Sequence, residues 1–132
     1  MFKRILTVVV AAVGLAVAAT APAAAIDSGS SKNACGVVYF YPDGDTFKFL
    51  DTCSDGHGVL LYWTTPTTGQ PHTTDSAQSK AYTGGYTGWD LDNAYVYDKD
   101  FTEGACFYYR VGLTESGGYI IGSYGSWTLS CA

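Results

Sequence analysis

Twelve carboxylate side chains, two histidines and four cysteines are the groups of this 132-residue chain best suited to chemistry. Paired carboxylates hydrolyse glycosides, a histidine beside a nucleophile drives acyl transfer, and alternating loop carboxylates hold calcium. Asp43, Asp45, Asp51 and Asp55 surround one short segment, Asp90 and Asp92 precede another, and Asp98, Asp100 and Glu103 follow it. An EF-hand loop needs carboxylates at alternate positions, a glycine at the sixth and a glutamate at the twelfth, and no segment here has that pattern. Aspartates in Gly- and Pro-rich turns instead bond to their own backbone. His57, in Asp55-Gly56-His57-Gly58, and His72, in Gln70-Pro71-His72-Thr73-Thr74, are the general-base candidates, and both fall in loops. Neither a Gly-x-Ser-x-Gly elbow nor a His-Glu-x-x-His helix occurs. A carboxylate pair meeting across the fold is the remaining route to a hydrolase. These residues read as a non-catalytic protein with no metal and no cofactor.

Cys35, Cys53, Cys106 and Cys131 lack any Cys-x-x-Cys pair, which argues against a zinc site. An even count in a small exported chain reads as two disulfides. Aromatic residues are the other excess: eleven tyrosines, with Trp63, Trp89 and Trp127. Trp63, Trp127 and alternate strand tyrosines are expected to build the core and its cross-strand pairs. Tyr82, Tyr86 and Trp89 are interleaved with glycines in Tyr82-Thr83-Gly84-Gly85-Tyr86-Thr87-Gly88-Trp89. Exposed aromatics on a rigid scaffold serve protein interfaces and sugar-stacking platforms, so these three are the expected binding surface, with the polar loop 66–80 beside them.

The elements that must hold these groups are short. β-branched and aromatic runs alternate with Gly, Asp, Pro and Ser clusters, and no helix-period pattern of useful length follows residue 34. The clearest unit is a hairpin, with strands over 36–41 and 46–51 joined by Pro42-Asp43-Gly44-Asp45, where Pro presets φ and Gly accepts a positive one. Cys35 and Cys53 lie nine residues either side of Gly44, so the hairpin brings them opposite one another. That pairs Cys35 with Cys53 and leaves Cys106 for Cys131. Further strands are expected over 59–65, 94–97, 105–113, 119–122 and 126–131. Six or seven short strands in about 100 residues suggest a two-layer sandwich or a flattened barrel; the expected fold is all-β, a small two-sheet antiparallel β-sandwich.

The start of the chain reads as a signal peptide over 1–25. Lys3 and Arg4 are followed by an uncharged apolar run over 5–19 and by Ala21-Pro22-Ala23-Ala24-Ala25, an Ala-x-Ala cleavage site. The run is shorter than the ~20 residues a spanning helix needs. Residues 26–34, small and polar, are expected to be a flexible leader into a single β domain over 35–132. Without residues 1–25 the chain keeps five basic and twelve acidic side chains, a formal charge of −7. That balance argues against nucleic acid and against an anionic membrane as partner. The expected location is secreted.

The C-terminal half carries a family resemblance. Thr102-Glu103-Gly104-Ala105-Cys106-Phe107, Gly118-Tyr119-Ile120-Ile121-Gly122-Ser123-Tyr124-Gly125 and the closing Cys131 resemble the small bacterial proteinaceous α-amylase inhibitors of the tendamistat type. The likeness covers about thirty residues, within 102–131, and the Cys35-x-x-x-Tyr39 opening is similar too. The resemblance implies a six-stranded, two-sheet β-sandwich, first-with-second and third-with-fourth cysteine pairing, and inhibition of an extracellular glycosidase. The chain departs from the family in its first hairpin turn, which reads Pro42-Asp43-Gly44 where the inhibitors present Trp-Arg-Tyr. The segment between Cys53 and Cys106 is also longer. No inhibitory residue is carried across. The expectation is a secreted binding protein, inhibitor-like toward an extracellular enzyme. A carbohydrate- or cell-wall-binding domain and a surface-coat protein are the alternatives, so the partner is an extracellular protein or a polysaccharide.

Overall fold

A computed structural model describes residues 25–64 and 78–132. The expected leader peptide up to residue 24 and the 66–77 part of the polar loop, His72 included, lie outside the described residues. The chain is all-β, with two antiparallel sheets and, among the described residues, a single 3-10 turn at Leu91–Asn93. Four strands, β1 (Asp27–Ser30), β2 (Gly36–Tyr41), β3 (Thr46–Asp51) and β6 (Tyr95–Asp98), form the first sheet in the order β1-β2-β3-β6. The second sheet runs β5 (Gln78–Tyr82), β4 (Gly58–Trp63), β7 (Cys106–Glu115), and the far edge of β7 is shared by β8 (Gly118–Tyr119) and β9 (Thr128–Cys131). Among the described residues no helix is long and apolar enough to cross a membrane.

Two of these strands were not expected. Residues 27–30 are β1, paired with β2 from Asp27 opposite Phe40 to Ser30 opposite Val37, so this part of the 26–34 segment is ordered sheet and not a flexible leader. Gln78–Tyr82 is an edge strand paired with β4, so the polar loop ends before residue 78.

Strand alternation places the core. In the first sheet Val38, Phe40, Phe47 and Phe49 face inward, and in the second Val59, Leu61, Trp63, Phe107, Tyr109 and Val111 face them. Successive side chains of a strand point to opposite faces, so Tyr62, Arg110 and Gly112 fall on the outer face of the second sheet. The core is dominated by rings. Phe101 stacks on Phe107 at 4.2 Å, and Phe40 meets Phe107 edge-on at 4.9 Å. Such pairs add about 0.5–1.5 kcal/mol each beyond the area they bury.

The first hairpin forms as its residues dictate. Gly44 takes a φ of 89° and Asp45 one of 50°. Asp45 is buried, and its carboxylate Oδ2 accepts from Phe101 N at 2.9 Å while its carbonyl accepts from Lys99 N. This one turn residue thus pins the connection from β6 to β7. Both disulfides join the expected partners, Cys35 to Cys53 and Cys106 to Cys131. Cys106 is also the strand partner of Cys131 across β7 and β9.

Between β8 and β9 the edge of β7 is satisfied by a loop. Ile120 N donates to Leu113 O, Gly125 N to Val111 O, and Leu113 N to the Ser123 hydroxyl at 2.9 Å. The loop also meets the first sheet, since Lys32 N donates to Ser123 O. At Gly125 a Cβ would stand 1.7 Å from the Ser30 carbonyl oxygen, so only glycine allows this approach. Finally, the Ser130 hydroxyl donates to the Asp27 carboxylate and ties β9 to β1.

Candidate functional site

Tyr82, Tyr86 and Trp89 do not share one environment. Tyr82 is half-buried at the edge of the core, stacked on Tyr95 at 5.2 Å, and its hydroxyl donates to Gly85 O at 3.1 Å. Burial, and after it the Asp51 charge, raises its phenol above the ordinary value. Tyr86 and Trp89 are 62% and 63% exposed. They flank Thr87, which nails the loop to the end of β3. Thr87 N and Gly88 N both donate to Asp51 O, at 2.9 and 3.0 Å, and Asp51 N donates to the Thr87 hydroxyl at 2.9 Å. The two exposed rings are therefore carried on fixed backbone.

Beside Tyr86 lies a cleft of about 410 Å³ whose walls include Asp51, His57, Gly58, Thr83 and Thr114. Asp51 is only 3% exposed. Its Oδ1 accepts a long bond of 3.4 Å from Cys53 N, and Oδ2 has no hydrogen-bond partner among the described residues. Burial pushes this carboxyl above the ordinary carboxylate value, and the Asp55 charge adds to the shift. The Cys53 N–H and His57 oppose it. His57 N donates to Asp55 Oδ1 at 3.0 Å, and the ring Nδ1 is buried with no hydrogen-bond partner among the described residues.

The Asp90–Asp92 pair acts locally. Asp90 Oδ1 accepts from Asp92 N at 3.0 Å and Oδ2 from the Asn93 amide, which caps the 3-10 turn. The Cys35 and Cys53 sulfurs lie within 4.8 Å of an Asp55 oxygen, but they are bonded to each other and offer no thiolate.

A second surface escaped the sequence reading. On the outer face of the second sheet, Arg110 Cζ lies 3.8 Å from the centroid of the Tyr124 ring and 4.7 Å from that of Trp127. Tyr124 continues the array, with Tyr119 stacked on it at 4.1 Å and Tyr62 edge-on at 4.9 Å. Arg110 and Tyr62 are direct strand partners. Gly112, two residues along β7, makes room for Tyr124, because a Cβ there would meet the ring at 2.8 Å. Arg110 Nε is buried without a hydrogen-bond partner among the described residues. Tyr119 is the exposed ring of the array. One signal was present in the sequence: Arg110 is the only arginine after Arg4. Trp127, expected in the core, stands instead in this outer array, half-buried.

No family model, no curated protein and no solved structure matches this chain.

Proposed function

We propose that this is a secreted, non-catalytic binding protein that acts as an inhibitor of an extracellular enzyme, a glycosidase in the first instance. The observation that carries this reading is Arg110 packed against Tyr124 and Trp127 on a disulfide-stapled sheet. Tyr, Trp and Arg are the residue types that dominate protein-binding energy. A guanidinium already held against rings loses little freedom on binding and offers a planar fork to a carboxylate. Glycosidases carry a pair of carboxylates flanking the scissile bond, and these form the complementary target. The α-amylase inhibitors that the C-terminal half resembles present Trp, Arg and Tyr consecutively in a turn. Here the same three residue types come from β7 and the loop 120–127. Secretion is supported by the two disulfides and by the leader-like residues 1–25.

The test is titration of starch hydrolysis by animal α-amylase, then of a panel of other glycosidases, with the oxidised protein. Stoichiometric inhibition that Arg110→Ala abolishes and Trp89→Ala preserves is the expected result. Inhibition lost only in Trp89→Ala moves the contact to the exposed rings of residues 83–90. No inhibition of any enzyme at about 10 μM protein, where even a weak specific complex would form, overturns the reading.

A further inference from the structure

The cleft beside Tyr86 is separate from the Arg110 array and has its own chemistry. Its volume of about 410 Å³ falls in the ~300–1,000 Å³ range of small-molecule sites. One buried polar atom on its walls, His57 Nδ1, lacks a hydrogen-bond partner among the described residues, and the Asp51 carboxylate beside it makes only the long 3.4 Å bond to Cys53 N. Burying such a group unpaired is costly, so its persistence in a walled cleft points to a ligand that completes it. Thr83, Ser54 and Ser116 add hydroxyls to the lining, and Tyr86 adds a largely exposed aromatic ring.

The class of ligand follows from what these groups accept. Asp51 and Asp55 disfavour an anion. A divalent cation wants several converging oxygens. Among the described residues, the ligating atoms of Asp51, His57 and Asp55 do not gather into a cluster of three. A neutral ring with hydroxyls on its rim and C–H groups on its face satisfies both halves of the lining. The hydroxyls donate to the carboxylate and exchange bonds with the imidazole and the threonine and serine hydroxyls. The apolar face lies on Tyr86.

We propose that the cleft between the Asp51 end of β3 and the 83–88 loop binds one neutral sugar unit, with Tyr86 as its stacking face and Asp51 and His57 as its hydrogen-bonding groups. This does not depend on the Arg110 surface.

The experiment is a ¹H–¹⁵N NMR titration of the oxidised chain with maltose, cellobiose and N-acetylglucosamine, each to about 20 mM, which reaches millimolar affinities. The expected result is saturable shifts confined to residues 51–58, 83–88 and 114–116 with at least one sugar. A change at the His57 ring nitrogens should accompany them. Tyr86→Ala should weaken that binding about tenfold, the scale of losing one ring contact. Asp51→Asn, which keeps the shape and Oδ1, should weaken it by a similar factor, and Arg110→Ala should leave it unchanged. No saturable shift with any of the three sugars, shifts centred on Tyr124 and Trp127, or full affinity in Tyr86→Ala would each overturn the proposal. The spectrum of each variant reports its own folding, and Tyr86 is exposed enough that its loss leaves the core alone.

Discussion

Replacing Gly112 with alanine should dismantle the Arg110 array from beneath while leaving the core in place. Gly112 faces outward from β7 opposite Leu60, and its backbone does not lie in the left-handed region. Alanine is therefore conformationally acceptable and, taken alone, favours a strand by roughly 0.5–1 kcal/mol. Packing opposes it. The new Cβ would stand 2.8 and 3.0 Å from two carbons of the Tyr124 ring and 3.2 Å from the Ser123 hydroxyl. Ser123 is fixed, because its hydroxyl accepts from Leu113 N and donates to Ile120 O at 2.7 Å. The ring must therefore lift. It then loses its pairs with Tyr119 and Tyr62, about 0.5–1.5 kcal/mol each, and the Arg110 stack, about 0.5–1 kcal/mol on a half-exposed face. With the propensity gain set against these losses, Gly112→Ala should destabilise by about 1–3 kcal/mol. Urea unfolding followed by fluorescence measures the change, and near-UV circular dichroism should lose intensity as the tyrosines separate. The control is a double-mutant cycle. In a Tyr124→Ala background the clash is gone, and Gly112→Ala should be neutral or stabilising by about 0.5–1 kcal/mol. If the single variant is as stable as the parent with an unchanged near-UV spectrum, Tyr124 does not rest on Gly112 and the array is not built as described.

Three further outcomes are expected. Tyr109→Phe should hold or raise stability by about 1 kcal/mol at neutral pH in thermal or urea melts, because the buried hydroxyl has no partner among the described residues. Burial, then the Asp27 charge, raises the Tyr109 phenol above its ordinary 10.0. The proton held by the native state makes stability full below that value and lost as pH climbs beyond it, a slope the Phe variant should lack. Asp51 has the same sign at the acid end: its folded carboxyl is raised above 3.8. Its contribution is therefore full below that pH and lost as pH rises through the folded value, and Asp51→Asn should flatten this part of the stability–pH curve. Removing the Cys35–Cys53 bridge with paired alanines frees a loop of 18 residues and should cost about 3 kcal/mol by loop-closure entropy, read from the shift in urea midpoint.

The sequence made some of this architecture legible and hid the rest for physical reasons. The hairpin of β2 and β3 was readable because a turn with a defined mechanism lies midway between two cysteines, and both bridges followed from it. β1 was not readable. Asp-Ser-Gly-Ser carries no β-branched or aromatic side chain, and it is held as a strand by β2 and by the Ser130–Asp27 bond from the far end of the chain. β5 was hidden because its inward position Lys80 is charged. The ammonium lies over the rings of Tyr95 and Tyr97, at 5.9 and 5.2 Å, which breaks the apolar alternation while packing well. The glycines around Tyr82 suggested exposure, yet one of them does the opposite. The Tyr82 ring lies over Gly84, where a Cβ would stand 2.5 Å away. The Arg110 array was out of reach because its members come from β4, β7, β8 and a loop, and only the strand register brings them together.

The bond between Ser130 and Asp27 spans 103 positions of sequence. β1 can pair with β2 through a short connection, but its tie to β9 waits until Ser130 is available. Closing so long a stretch of chain costs entropy before the contact repays it, so this tie belongs to the late, non-local part of folding, after the local hairpins.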